Sequence, residues 1–203
     1  MPIFPVITKH YRLGVMAFAV FALLAQSACS LLGAREKPDD APVPIDRFQS
    51  EPSPNTTALR IFSSQELNQS RTGQALSVLA RLYVLKDYEA FNEADFASFV
   101  DADTAKAHLG GDLVTARETM LLPGKKYETY VPTASDGQYL AVVVLFRDAD
   151  PSRWRAVFKL DRDDPEPITL GVSRCALIAT SGHVVEESEA VEQPLTSARC
   201  PGN

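Results

Sequence analysis

Side chains able to do acid–base, nucleophilic or metal chemistry are few in this 203-residue chain. Its three histidines, His10, His108 and His183, lie far apart in sequence. No H-x-x-x-H or C-x-x-C spacing occurs, so a zinc site lacks its usual ligand pairs. G-x-S-x-G, P-loop and G-x-G-x-x-G runs are also missing. Ser181-Gly182-His183 sets a hydroxyl beside an imidazole, but sequence neighbours rarely form a nucleophile–base pair. Asp161, Asp163 and Asp164 suggest calcium until Pro165 and the missing glycine and downstream glutamate break the loop pattern. They read as solvated turn acids. Asp148, Asp150 and Glu118 are the remaining acids to inspect in a cleft. The expectation is a non-enzyme with no catalytic residue, no metal site and no small-molecule substrate.

The cysteines offer chemistry of another kind. Cys29 follows Leu23-Leu24-Ala25-Gln26-Ser27-Ala28, small residues closing an apolar run. Lys9 and Arg12 precede that run, and Leu13 to Ala25 supplies 13 uncharged, mostly apolar residues. A helix of that length spans about 20 Å, short of the ~30 Å hydrocarbon core, so residues 1–28 read as a cleaved signal peptide. Cysteine at the junction resembles the bacterial lipoprotein type, which would place a covalent lipid on Cys29. An ordinary signal cut near Ala28 is the competing reading. Gln26 stands where the lipoprotein pattern usually has Leu.

With Cys29 committed to lipid, Cys175 and Cys200 form an even pair in an oxidising compartment. A disulfide between them and two unpaired thiols are both open readings. Removing residues 1–28 takes away two basic residues and no acids. The 18 Lys+Arg then left face 26 Asp+Glu, a balance of −8. Such a chain has no electrostatic reason to hold DNA or RNA.

These few residues need elements to position them. Residues 29–56, with Pro38, Pro42, Pro44, Pro52 and Pro54, lack a sustained apolar period and read as a flexible linker. As a coil it spans roughly 30 Å, and as extended polyproline up to ~80 Å. Residues 57–185 form the folded domain. Leu59 and Ile61 alternate with Arg60, and Val78, Ala80, Leu82 and Val84 share a strand face opposite Arg81 and Tyr83. Between them Asn68 to Ala75 is polar with one glycine, an exposed loop. Tyr88, Phe91, Phe96, Phe99 and Val100 fall on one side of a helix that Asp87 can cap. A second short helix from Thr104, capped by Asp103, stops at Gly110-Gly111. Pro123-Gly124 suits a type II turn. Tyr139 to Phe146 is a central strand, Trp154 to Leu160 an alternating one, and Ile168 to Ala179 the last, containing Cys175. Residues 186–203 form an acidic tail that a Cys175–Cys200 bridge would tie down. About seven strands with a two-helix insert after the second suggest a mainly β, antiparallel sandwich.

An ordered set of motifs then resembles a known family. After the signal and spacer come Leu59 to Asn68 ("LRIFSSQELN") and Ser77 to Lys86 ("SVLARLYVLK"). Phe91 to Phe96 ("FNEADF"), Leu109 to Arg117 ("LGGDLVTAR") and Leu122-Pro123-Gly124 follow. Phe146-Arg147-Asp148 and Trp154 to Val157 complete the order. The chain is similar over residues 57–180 to the outer-membrane lipoprotein family of type VI secretion systems (TssJ, SciN, VasD). It departs at Gln26 and at Ala75-Leu76, where a proline-containing stretch is expected. The resemblance implies a transthyretin-like sandwich with added helices and no cofactor beyond the lipid on Cys29. It implies a periplasm-facing lipoprotein tethering the secretion complex to the outer membrane, and Ser30 after the lipidated residue fits that sorting. The implied partner is the periplasmic C-terminal region of the IcmF-like (TssM-type) inner-membrane protein. The implied contact is the loop between the first two strands: Asn68, Gln69, Ser70, Arg71, Thr72, Gly73, Gln74 and Ala75, with Arg71 and Gln74 foremost. The alternative kept open is a periplasmic lipoprotein carrier of a small apolar ligand.

Overall fold

A computed structural model describes residues 52, 55–133, 137–185, 188 and 191–201. The signal peptide, Cys29 and nearly all of the linker lie outside the described residues, as do residues 186, 187, 189, 190, 202 and 203 of the acidic tail. The folded unit begins with β1 (Thr56–Ser63) and β2 (Val78–Leu85). An insert follows: α1 (Glu89–Glu93), a 3-10 turn at Phe96–Phe99, α2 (Ala102–Leu109) and a 3-10 turn at Gly110–Asp112. The chain continues through β3 (Leu113–Leu121), β4 (Lys126–Pro132), β5 (Tyr139–Val144), β6 (Arg155–Lys159), β7 (Ile168–Ser173) and β8 (Ala176–Ser181).

The strands form two four-stranded sheets, ordered β4-β1-β7-β8 and β3-β2-β5-β6. Alternation along β1 and β7 sends Leu59, Ile61, Ile168, Leu170 and Val172 inward, where they join Ala80, Leu82, Leu140 and Val142 in one core. One pair departs from an antiparallel arrangement: β1 and β7 run parallel, with Leu59 opposite Ile168. The turn at Pro123-Gly124 carries the chain from one sheet to the other, because β3 pairs with β2 and β4 with β1. Gly124 takes the positive φ, 69°, that the third position of a type II turn requires.

Eight strands stand where about seven were expected, because the run Ile168 to Ala179 folds back on itself. Arg174 and Cys175 make a two-residue turn between β7 and β8, so Cys175 is not in a strand. The insert explains why β2 is buried on both faces. Phe91 and Phe99 pack on Tyr83 at 6.3 and 5.9 Å between ring centroids, and Phe96 meets Trp154 edge-on at 5.2 Å. The aromatic stripe is core, as expected, with one correction. The stripe's segment is two short pieces, α1 and the 3-10 turn at Phe96–Phe99, rather than one helix, so the period restarts and Val100 turns outward, 57 % exposed. Asp101, not Asp103, caps α2, accepting from Thr104 N at 2.8 Å, and the helix starts at Ala102.

Arg155 fixes the insert to β6. Its guanidinium donates to the carbonyls of Phe91, Ala94 and Asn92, each at 2.7 Å, and stacks over Trp154. Carbonyls left open at the end of a helix need such donors. Burial lowers the Arg155 pKa. Among the described residues no helix is long and apolar enough to cross a membrane.

Candidate functional site

The polar loop between β1 and β2 is built from its two ends inward. Leu67, fully buried, anchors it, and Leu76 N donates to Leu67 O at 3.0 Å to close its base. Asn68 sits beside that anchor at φ 45°, a left-handed conformation that asparagine tolerates. Its amide donates to Ser77 O at 2.9 Å and its side-chain oxygen accepts from Arg147 N at 2.9 Å. Asn68 is therefore 7 % exposed, which corrects its expected place on an exposed contact surface. It positions the loop and staples it to the connection between β5 and β6.

The tip closes around Ser70. Ser70 N donates to Gln74 O at 2.8 Å, and Gly73 N to Ser70 O at 2.9 Å. The Ser70 hydroxyl accepts from Thr72 N and Gln74 N at 3.3 and 3.1 Å. Gly73 supplies the positive φ, 79°, that the turn needs. What remains outward is Arg71, Thr72, Gly73 and Gln74, all exposed, flanked by half-buried Gln69, Ser70 and Ala75.

Three other segments gather at this end of the sandwich. β1 ends here, so the β7–β8 turn and the β5–β6 connection lie alongside. The C-terminal segment joins them through a disulfide between Cys175 and Cys200, with Cα atoms 5.5 Å apart. A buried ion pair holds the same segment: Arg153 Nη2 lies 3.3 Å from Asp150 Oδ2. Asp150 also accepts from Arg199 N at 2.6 Å, and Arg153 donates to Pro194 O at 3.0 Å and the Ser197 hydroxyl at 3.3 Å. Burial pushes the Asp150 carboxyl up, but hydrogen bonds from Arg199 and Ser152 and the Arg153 charge outweigh it and hold the pKa below the usual range. A polar pocket of about 80 Å³ opens between Gln69, Arg71, Asp148, Arg174 and Pro201. Arg174 and the Asp150–Arg153 latch were not singled out from sequence. The only signal was a second arginine beside Cys175.

The other candidates are dispersed. Glu118 pairs with Arg81 at 2.8 Å and Asp148 with Arg147 at 3.7 Å, so these acids and Asp150 do not converge. The Ser181 hydroxyl donates to Pro167 O at 2.7 Å, while His183 faces Glu166. Asp161 accepts from Asp163 N at 2.9 Å and Asp164 N at 3.3 Å, which lowers its pKa and makes a turn rather than an ion cage. Among the described residues no three His, Cys, Asp or Glu side chains are grouped to hold a metal.

Comparison with known proteins follows the same outline. The family model for type VI secretion lipoproteins (VasD, EvfM, TssJ) matches residues 55–175, from the start of β1 to the β7–β8 turn. Comparison with curated proteins gives no match. Among solved structures, the type VI secretion lipoprotein TssJ1 from Pseudomonas aeruginosa is 28 % identical. It superposes with a TM-score of 0.57 over 64 % of this chain and 99 % of that one. A chain of a structure described as the type VI membrane complex is 29 % identical, TM-score 0.55, over 63 % of this chain and 98 % of that one. A chain of a structure described as the TssM C-terminal domain from EAEC is 27 % identical, TM-score 0.52, over 62 % of this chain and 98 % of that one.

Proposed function

This chain belongs to the type VI secretion lipoprotein family, and we propose that it is a periplasm-facing, outer-membrane-anchored tether of that machine. In this reading a lipid on Cys29 holds it to the outer membrane. The loop from Gln69 to Ala75 grips the periplasmic C-terminal region of an IcmF-like, TssM-type inner-membrane protein, and no enzymatic step is involved.

One observation carries the reading. β1 runs from Thr56 to Ser63, eight residues, which is about 25 Å of extended chain. The segment leading back to Cys29 enters at its first residue, and the rigid loop leaves from its last. The entry from the linker and the grip therefore lie at opposite ends of β1, which suits a molecule that bridges two structures. The Cys175–Cys200 disulfide is the chemistry of an oxidising compartment. One acyl chain gives marginal membrane binding and two give stable binding, so a lipidated N-terminal cysteine with more than one chain suffices as an anchor.

The experiment has two arms. Cys29→Ser is expected to leave a folded, soluble periplasmic protein and to abolish secretion. Normal secretion with unchanged membrane fractionation would refute the anchor. Replacing Gln69–Ala75 by Gly and Ser, with buried Asn68 kept, is expected to weaken binding to the partner's periplasmic region with little change in unfolding midpoint. Unchanged affinity would move the grip elsewhere.

The rival carrier reading needs an enclosed apolar space. The gap between the sheets beside Leu82, Val84 and Leu140 measures about 10 Å³, room for no more than one water. The larger groove beside Phe96, Phe146 and Trp154, about 540 Å³, is open to solvent and edged by Asp95, Arg147 and Arg155. That is unlike the mostly apolar, enclosing sites that bury small ligands.

A further inference from the structure

Among the described residues, two arginines at this end of the sandwich pair with no carboxylate. Arg71 comes from the tip of the β1–β2 loop and Arg174 from the turn between β7 and β8, and both line the same pocket. Among the described residues the arginine ion pairs engage Arg60, Arg81, Arg147 and Arg153, and neither Arg71 nor Arg174 takes part. The one acid on the pocket wall, Asp148, is already paired with Arg147. The wall is thus locally positive in a chain whose formal net charge is −6.

Size narrows what can enter. Small-molecule sites run to about 300–1,000 Å³, whereas this pocket is about 80 Å³, the room of one side-chain headgroup. Guanidinium groups present planar forks of N–H donors that match a carboxylate, and Gln69 adds an amide at the rim. Arg174 is also held in place. Its neighbour Cys175 is bonded to Cys200, and Cys175 O accepts from Asp150 N at 2.9 Å. The loop that carries Arg71 is closed on itself through Ser70.

The geometry points to a carboxylate clamp: Arg71 and Arg174 together receive an Asp or Glu side chain from the protein segment that docks on this end of the sandwich. The inference rests on the tether reading and adds the chemistry that the grip recognises. It extends the contact from the loop to the β7–β8 turn, and it gives the disulfide-tied segment a purpose, since Pro201 and Cys200 form the pocket's far wall.

The test measures affinity of the full lipidated chain, in detergent, for the periplasmic C-terminal region of the IcmF-like partner at low and high salt. Arg71→Glu and Arg174→Glu are each expected to weaken binding by about tenfold or more at low salt, because reversal sets like charges together. The loss should shrink at high salt, where screening acts on both attraction and repulsion. Arg174→Lys should retain part of the affinity, having the charge without the fork. An unchanged unfolding midpoint and absence of free thiols show that Arg174→Glu has left the turn intact. If Arg174→Glu binds like the parent while Gly/Ser replacement of Gln69–Ala75 weakens binding, the clamp is overturned and the tether stands. If the parent chain itself does not bind, both fall.

Discussion

Removing the Cys175–Cys200 bridge tests how the C-terminal segment is held. The perturbation is the double change Cys175→Ala and Cys200→Ala, which leaves no free thiol in the domain. The bridged residues are 25 apart in sequence, and the chain-entropy relation for a loop of that size gives about 3.5 kcal/mol at 25 °C. The effect should come from the unfolded state. In the folded state Asp150 and Arg153 still bind the backbone at Arg199 and Pro194, so the segment has reason to stay docked. Urea unfolding of the full chain should then show a loss of about 2–4 kcal/mol, with a steeper denaturant dependence because the unbridged chain expands further. The thermal midpoint should fall by roughly 4–16 °C at the 2–4 °C per kcal/mol usual for domains of this size. Hydrogen exchange should still find Arg199 N protected. A loss below about 1 kcal/mol, or two titratable thiols in the denatured, unreduced parent, would refute the reasoning. Exposure of Arg199 N would show instead that the disulfide, not the buried ion pair, keeps the segment in place.

Three further outcomes can be checked on the same protein. Arg155→Met should cost about 2–4 kcal/mol in urea unfolding, since three carbonyls lose a charged donor, and Arg155→Lys should recover only part; a loss under about 1 kcal/mol would mean water replaces the guanidinium. Asp101→Ala should lower the unfolding midpoint clearly more than Asp103→Ala, because only Asp101 caps α2; equal effects would place the cap elsewhere. The Asp150 carboxyl, held below its ordinary value, contributes stability that is complete above the unfolded-state value of about 3.9 and is lost as pH falls through the folded one. The stability difference between the parent and Asp150→Asn should therefore be constant above pH ~4 and shrink steadily as pH falls below it, and a difference that does not shrink with falling pH would sink the assignment.

Much of the sandwich could be read from the sequence because alternation reports which face of a strand is buried. Leu59 and Ile61 in β1 gave away a half-buried strand, and the unbroken run from Tyr139 one covered on both faces. Alternation does not report which strand lies beside which, so the parallel pairing of β1 with β7 was invisible. The β7–β8 turn was missed because Arg174-Cys175 carries no Gly, Pro, Asn or Asp and the flanking residues are all apolar or small. Asn68 looked exposed because its neighbours are polar. Its burial depends on a donor 79 residues away, Arg147 N, which no local pattern announces. Val100 failed for the opposite reason, a correct local period carried across the break at Ala94-Asp95. The loop from Gln69 to Ala75 was legible as a loop, but its closure around Ser70 and its pocket with Arg174 exist only once four segments meet.

That closure bears on how the grip works. Binding must overcome the lost freedom of the two partners as well as any disorder in the loop. A loop already closed on itself has less to lose. Ser70→Ala separates pre-organisation from contact, because it deletes the hydroxyl that accepts from Thr72 N and Gln74 N and leaves Arg71 and Gln74 in place. The backbone bonds from Ser70 N to Gln74 O and from Gly73 N to Ser70 O survive. Loss of the two backbone bonds to the hydroxyl, together with its exposed bond to the Thr72 hydroxyl at 2.9 Å, is worth about 1–2 kcal/mol of loop order at the usual net value of a hydrogen bond. If the ordered loop is the binding-competent state, apparent affinity for the partner falls by about 5- to 30-fold while the global unfolding midpoint barely moves. The loss should appear mostly in the association rate, since the docked loop makes the same contacts once formed. Unchanged affinity in Ser70→Ala, with Arg71→Glu still weakening binding, would show that the partner orders the loop on arrival and that its closed form in the free protein confers no advantage.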